Sequence, residues 1–272
     1  LLLAAPAAAQ RVNEVGFTVQ DWCGLNTYND TARINDCDAQ DVENFLTDRN
    51  FLEKRTGSIR QVEVLSGFAV KDLRQYVGTN LTRYAIAHAS GTLYRTDLGS
   101  TPIAIATVTA TGNVDGVAAF LKFYAADAVG NLIEYNTSSS VTINAAPICN
   151  LLEFGSERIW CANIPAESGS RVRVSSFGGA GYWTIPANVA SIADAPNSFD
   201  FQKDDGENIL CMKNTPWGMV IGKRRSMHIV KGFDNATWRK VVIDPSIGCV
   251  DDRSMQMKDG VLVWLGTDGI YE

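Results

Sequence analysis

Residues 120–136 read FLKFYAADAVGNLIEYN, and this stretch decides the fold class. A run of apolar and aromatic residues leads into Gly130 and Asn131, which favour a turn, and a second apolar run follows them. Two apolar runs separated by turn-forming residues are typical of a pair of β-strands joined by a tight connection. The stretch therefore predicts a β-hairpin.

Four other segments share this layout of strand, turn and strand, namely residues 84–95, 158–175, 218–231 and 260–272. The five turns fall near residues 90, 129, 166, 224 and 267, so the intervals are 39, 37, 58 and 43 residues. A single hairpin cannot bury both faces, whereas four-stranded blades of roughly 40–50 residues stack around a common axis. The longest interval fits the same scheme because an insertion in a surface loop costs little free energy.

The sequence therefore predicts an all-β fold, a β-propeller with five readable blade-like hairpin repeats. The propeller is either complete or part of a larger or six-bladed one, and a generic β-sandwich with several hairpins remains the alternative. Each repeat offers one bulky core candidate in its first strand: Tyr84, Phe123, Trp160, Met219 and Trp264. Each second strand offers another near its turn: Tyr94, Ile133, Val172, Ile229 and Ile270.

The chain divides into an irregular N-terminal arm, residues 1–56, and the propeller repeats, residues 57–272. Acidic residues precede Phe45 and Leu46, and acids stabilise a helix N-terminus, so a short helix is expected around Ala39 to Leu46. The first ten residues read as the end of a signal peptide, as a small-residue arm or as a fragment boundary. No apolar run approaches the roughly 18 residues of a membrane span.

Composition restricts the possible partners and the role of the cysteines. The formal net charge is −6 and the sequence pI is about 5.0. This argues against a surface that binds nucleic acid, because phosphate binding needs clustered Lys and Arg residues. The six cysteines, Cys23, Cys37, Cys149, Cys161, Cys211 and Cys249, show neither zinc-site nor disulfide-framework spacing. We expect mostly buried, reduced thiols, although an even number leaves disulfides open.

No motif for catalysis or cofactor binding stands out. His88 and His228 lie inside strand patterns and are expected to be hydrogen-bonded structural residues. The acidic segments Asp204–Glu207 and Asp251–Asp252 read as exposed loops, and Lys223–Arg225 reads as a solvated hairpin turn. The sequence thus predicts a protein that is not an enzyme, with no catalytic residues, no cofactor and no metal site.

One turn is similar to a known structural motif. The stretch Ser175 to Trp183 resembles the Asp-box turn of sialidase-type propellers, in which Ser, Gly and Trp recur at similar spacing. The aspartate of that box is missing here, and the resemblance implies a structural role because the box is structural in that family. No set of arginines matches a sialidase carboxylate clamp.

Several short sequence motifs together resemble another family, the propeller proteins of bacteriophage tails and necks such as the podovirus tail nozzle. They are Cys23–Thr27, Asp41–Asn44, Lys54–Gly57, Glu157–Trp160, Val174–Ser176 with Trp183, Ile247–Cys249 and Trp264–Tyr271, in this order over roughly residues 22–272. Position 23 carries Cys23 where that family has a glycine.

This resemblance implies a virion structural protein that forms part of a homo-oligomeric ring and acts in DNA ejection. Its partners would be the portal, adaptor or other tail components, and DNA would pass without sequence-specific binding. An acidic lumen would repel the DNA backbone. The alternative, motivated by the N-terminal segment and the Trp183 turn, is a secreted or periplasmic propeller that binds or cleaves glycans. A plain interaction scaffold is the third hypothesis.

Overall fold

The computed structural model of the chain describes residues 69–96, 101–108, 114–184 and 194–272, and the backbone of four short strands nearer the N-terminus. The chain forms two compact units, Leu1–Arg60 and Gln61–Glu272. In the first unit, β1 (Gly24–Leu25) pairs in parallel with β2 (Asp38–Ala39), and β3 (Phe45–Asp48) pairs antiparallel with β4 (Phe51–Lys54).

The prediction of a short helix around Ala39 to Leu46 is wrong, because both of these residues lie in β-strands. Ala39 lies in β2 and Leu46 lies in β3, while residues 40–44 fall outside the described part of the chain. Phe45 and Leu46 are followed by β4, whose Phe51 and Leu52 repeat the same pattern. Pairing between the two similar segments satisfies their backbone groups, which overrides the weak helix-start preference of the acidic residues.

The second unit is a five-bladed β-propeller built from five antiparallel sheets. Each sheet is a meander in which neighbouring strands follow one another along the chain, and the first strand of each lies nearest the axis. Blade 1 contains β5 (Val70–Val77), β6 (Arg83–Ala89), β7 (Thr92–Thr96) and β8 (Ile103–Thr107). Blade 2 contains β9 (Asp115–Ala119), β10 (Lys122–Ala126), β11 (Leu132–Tyr135) and β12 (Ser140–Ile143).

Blades 3 and 4 also have four strands, and blade 5 has three. Blade 3 contains β13 (Leu151–Gly155), β14 (Arg158–Ile164), β15 (Ser168–Val174) and β16 (Asn197–Asp200). Blade 4 contains β17 (Ile209–Thr215), β18 (Gly218–Lys223), β19 (Met227–Lys231) and β20 (Arg239–Asp244). Blade 5 contains β21 (Gln256–Lys258), β22 (Val261–Leu265) and β23 (Ile270–Tyr271).

The five predicted hairpins are confirmed, and each is the second and third strand of one blade. The bulky first-strand residues Tyr84, Phe123, Trp160 and Met219 are buried, as expected. Ile270 contradicts the pattern because it is 76% exposed, since β23 is an edge strand with no further described strand beside it.

Hydrophobic clusters join consecutive blades. Each cluster takes side chains from facing sheets, because alternate residues of a strand point to opposite faces. Between blades 3 and 4, the Trp160 ring lies 5.9 Å from Phe199 and 5.4 Å from Trp238. Comparable clusters join blades 1 and 2, blades 2 and 3, and blades 4 and 5, whereas none in the described residues joins blade 5 to blade 1.

The cysteines only partly follow the expectation. Cys149 and Cys161 are free and buried, as predicted. The expectation of reduced thiols is wrong for Cys211 and Cys249, which form a disulfide with Cα atoms 6.5 Å apart. This bond ties β17 to the segment that leads into blade 5. The remaining pair, Cys23 and Cys37, lies outside the described residues.

None of the described residues belongs to a helix that is long and apolar enough to cross a bilayer.

The packing predicts unequal costs for two tryptophan substitutions. Trp160→Ala should lower the free energy of unfolding by about 3–5 kcal/mol because it leaves a cavity between blades 3 and 4. Trp217→Ala removes the same side chain from a position that is 53% exposed, so its cost should stay within about 0.5 kcal/mol. Urea unfolding followed by circular dichroism measures both, and similar costs would contradict the described interface.

Candidate functional site

The innermost strands of the blades surround a polar axial cavity of about 330 Å³. A smaller recess of about 190 Å³ adjoins it, where the innermost strands begin. Charged groups from blades 1, 3, 4 and 5 line the cavity, and Asp115 of blade 2 lines the adjoining recess. These charged residues, which we call the axial cluster, are Asp72, Arg74, Asp115, Glu153, Lys213, Asp252 and Arg253.

Asp115 connects three blades. Its Oδ1 accepts a hydrogen bond from Arg74 Nη2 of blade 1 at 2.8 Å and another from the Gly116 N–H. Its Oδ2 accepts the N–H of Leu152 in blade 3 at 2.7 Å. Arg74 also donates from Nε to Asp72 at 3.0 Å, which fixes the guanidinium. One carboxylate therefore satisfies donors from its own blade and from both neighbouring blades.

The same kind of contact continues around the axis. Lys213 of blade 4 lies 3.3 Å from Glu153 of blade 3. Asp252, in the segment that precedes β21, accepts the N–H of Met212 in blade 4 at 2.9 Å. Polar contacts thus connect the inner edges of blades 1 to 5 in sequence.

Burial changes the ionisation of the axial carboxyl groups. It raises the pKa of Asp115 to about 7, and the charge of Asp252 adds to this rise while Arg74 opposes it. Burial also raises the pKa of Glu153, against the effect of Lys213. The pKa of Asp252 is raised by burial too, and the Met212 N–H and the charges of Lys213 and Arg74 oppose that rise. Burial in the site therefore favours the neutral form of all three carboxyl groups.

The prediction of an exposed loop is wrong for Asp252. Asp251 is exposed as expected, but Asp252 begins a short 3₁₀-helix and lines the axial cavity. Arg74, Asp115, Glu153 and Lys213 were not singled out, although each stands in the innermost strand of a blade. The sequence does contain a signal for Asp115, Glu153 and Lys213, since each is a charged residue within a largely apolar strand. A charge that is buried in this way needs an oppositely charged or hydrogen-bonding partner.

The basic turn also differs from expectation. Lys223 is completely buried and not solvated, and its Nζ donates to Asp205 Oδ2 at 2.6 Å and to the Phe201 carbonyl at 3.0 Å. Arg225 donates to Glu207, and only Arg224 remains as an exposed turn residue without a described ion pair. The turn between β18 and β19 therefore binds the linker between β16 of blade 3 and β17 of blade 4.

The acidic segment Asp204–Glu207 is mostly exposed, as predicted, but its charges are not all solvated. Asp205 and Glu207 are the carboxylates that Lys223 and Arg225 bind. Together with Ser246 and neighbouring residues they line an open cleft of about 700 Å³. The cleft carries both signs of charge on its walls.

The two histidines are buried, and burial lowers the pKa of each. His228 Nε2 lies 3.0 Å from Ser226 Oγ, and that hydroxyl also donates to Gln202 Oε1 at 3.0 Å, so His228 belongs to a structural network as expected. The expectation of a hydrogen-bonded residue is wrong for His88, since neither ring nitrogen has a partner among the described residues.

The Asp-box-like turn is structural in this chain. Ser175 Oγ accepts the N–H of Ile159 at 2.9 Å, and Trp183 is buried with its Nε1 donating to the Ala180 carbonyl at 2.7 Å. Gly178 adopts a φ of 76°, which a side chain would disfavour.

The site residues do not form a metal-binding group. In the described ranges, no set of three or more His, Cys, Asp and Glu side chains is arranged to hold a metal ion. The expected absence of cofactors and of enzyme activity stays a prediction.

Comparisons with known proteins identify no family. No protein-family model and no curated protein sequence matches the chain. Among solved structures, the computationally designed protein Ika8 is similar at 12% identity and a TM-score of 0.47, over 69% of this chain and 54% of Ika8. The designed protein Ika4 is similar at 11% identity and a TM-score of 0.39, over 61% and 95%.

A natural protein is also among these structural neighbours. PorZ, an essential bacterial surface component of the type-IX secretion system of Porphyromonas gingivalis, is 14% identical with a TM-score of 0.44. The match covers 78% of this chain and 27% of PorZ, and this chain spans about half of Ika8. Because these three TM-scores are below 0.5, none of the three likenesses carries an argument about function.

The raised pKa of Asp115 predicts a pH-dependent cost for one substitution. In the unfolded chain this carboxyl has a pKa of about 3.9, so between about pH 4 and pH 7 the folded state binds the proton more tightly. The contribution of Asp115 to stability is therefore fully present below about pH 4 and is lost as the pH rises through 7. Asp115→Asn, which does not titrate, should cost more stability at pH 5 than at pH 7.5.

Urea unfolding at pH 5, 6 and 7.5 measures this difference between the two proteins. Asp259→Asn, at an exposed position, is the control and should show no such trend. A cost of Asp115→Asn that stays constant or grows with pH would contradict the assignment.

The buried lysine yields a second prediction. Lys223→Met should lower the free energy of unfolding by about 2–4 kcal/mol, because Asp205 and two backbone carbonyls lose their donor. Lys203→Met, at an exposed position of the same linker, should change it by less than about 0.5 kcal/mol. Thermal and urea unfolding compare the two variants, and equal effects would show that the Lys223 contacts contribute little.

Proposed function

We propose that this chain is a non-catalytic structural subunit of a bacteriophage tail or neck, which assembles with further copies and with other virion proteins. The observation that carries this proposal is that the charged groups of the axial cluster bind to neighbouring blades. Asp115 and Asp252 direct their oxygens to N–H groups of neighbouring blades, and Glu153 is paired with Lys213. Groups bound in this way hold the ring together, and they have little hydrogen-bonding capacity left for a substrate.

The family resemblance is the second support. The fold that it implies, a propeller, is the fold of this chain. Two of its later motifs lie in the blades, since Glu157–Trp160 leads into β14 and Trp264–Tyr271 runs from the end of β22 to β23. Both β14 and β22 are second strands of their blades. The opening motifs, Cys23–Thr27, Asp41–Asn44 and Lys54–Gly57, lie largely outside the described residues.

The size of the axial cavity determines how such a subunit would serve DNA passage. A cavity of about 330 Å³ is far too small for a DNA duplex, whose major groove alone is about 12 Å wide. DNA would therefore pass through a lumen that several copies enclose, and not along the axis of one propeller. A net charge of −6 on each copy would repel phosphates and keep such a lumen from binding DNA tightly.

Electron microscopy of the purified protein and of its parent particle tests this proposal. We expect rings of several propellers, or propeller-shaped density in the tail or neck of the virion. Monomers at every concentration, together with virions whose density leaves no place for the chain, would overturn it.

A second candidate function, binding or cleavage of glycans outside the cytoplasm, is favoured by the ionisation of the axial cluster. A glycosidase needs a carboxyl group that keeps its proton near neutral pH, and Asp115 has a pKa of about 7 beside a polar cavity. A glycan-array and glycosidase screen separates the two candidates. Activity of the wild type that disappears in Asp115→Asn, while the variant keeps the circular dichroism spectrum of the wild type, would favour the glycan function. A wild type without any such activity would favour the structural one.

A further inference from the structure

The outer strand of blade 4 presents an unusual edge. β20 is the last strand of its sheet, and in the described residues no strand pairs with its outer side. It is six residues long, whereas β8 has five and β12 and β16 have four each. A long outer strand offers a row of unpaired N–H and C=O groups to another strand.

The centre of β20 is apolar and exposed. Val241, Val242 and Ile243 are 42%, 50% and 49% exposed, so three consecutive branched residues face solvent. Proteins usually protect edges with charges that point into the approaching strand. Lys240 does not protect this edge, because its Nζ is directed to blade 3, where it donates to the Asp200 carbonyl at 2.8 Å.

Pairing with β19 shows which residues of β20 share a face. Lys231 lies opposite Arg239, Ile229 opposite Val241, and Met227 opposite Asp244. The register shifts at Ile243, which stands between the partners of His228 and Met227. Because directly opposite residues share a face, this bulge brings Asp244 to the same face as Arg239 and Val241.

The resulting face is complementary to itself. The bulge gives Asp244 the place that residue 243 would have in a regular strand. If two β20 strands pair antiparallel about a two-fold axis at Val241, each Arg239 therefore lies opposite the Asp244 of the other copy. Opposite charges then meet at both ends, and the two Val241 side chains meet at the centre. A two-fold contact requires such self-complementarity.

We propose that β20 is a dimerisation strand, which pairs antiparallel with β20 of a second copy of this chain. Charge complementarity points to this occupant, since Arg239 and Asp244 match a strand that carries the opposite order of charges, and the chain itself supplies one. Arg239 Nη1 donates to the Ala236 and Trp238 carbonyls of its own chain, so the pairing with Asp244 would add to these bonds. The inference is independent of the proposed virion role, because a dimer would form in either functional candidate.

Sedimentation velocity of the purified chain from about 5 to about 500 µM tests the dimer. A single strand pair is much smaller than a standard interface, so we expect a weak dimer with a Kd on the order of 100 µM. Val241→Lys should abolish the dimer because two lysines would meet on the axis. Val141→Lys, on the exposed outer strand β12 of blade 2, is the matched control and should leave it unchanged.

A mixing experiment tests the register. Arg239→Glu and Asp244→Lys each create two like-charge pairs, so each protein alone should dimerise at least about ten-fold more weakly. Their mixture should recover the original dimer. In the mixed pair the introduced glutamate faces the introduced lysine, and the unchanged Arg239 of one copy faces the unchanged Asp244 of the other. Arg224→Glu, in the same blade but away from β20, controls for net charge.

Three outcomes would overturn the proposal. The first is a wild-type chain that stays monomeric at the highest concentration. The second is a dimer that Val241→Lys and Val141→Lys weaken equally. The third is a mixture that fails to recover although both variants have the circular dichroism spectrum of the wild type. That check is needed because Asp244 also accepts the N–H groups of Ser246 and Ile247.

Discussion

The ring depends on the hydrogen bonds that Asp115 makes to both neighbouring blades. Burying this carboxylate is costly, and its donors, Arg74 and the Leu152 N–H, offset the cost only while blades 1, 2 and 3 keep their relative positions. The Asp252 contact with blade 4 imposes the same condition on the other side of the axis. The centre of the propeller is thus held by directional polar bonds, and the hydrophobic clusters fill the space between the blades farther out.

The hairpins could be predicted from the sequence because their signal is local. A strand, a turn and a strand close together in the chain determine each other, as the stretch around Gly130 shows. The axial cluster could not be predicted in this way, since Arg74 and Asp115 lie 41 residues apart and meet only when the ring forms. Lys223 was misread for the same reason: a basic residue in a turn is solvated unless a distant segment, here Asp205 and its linker, covers it.

The two candidate functions use the same groups in opposite ways. A structural subunit needs the axial carboxyl groups to be bound, and a glycosidase needs one of them free to give up a proton. Asp115 meets three donors, which favours the first use, while burial raises its pKa to about 7, which favours the second. The balance between hydrogen bonding and desolvation at Asp115 is therefore the point on which the two proposed functions differ.

The disulfide between Cys211 and Cys249 adds a covalent link to the contacts between blade 4 and the segment that leads into blade 5. Blades 1 to 5 are joined in sequence by apolar clusters, but no such cluster joins the described residues of blade 5 to those of blade 1. Because the bond connects β17 to the segment that leads into β21, local unfolding of the last blade would leave that segment tethered to blade 4.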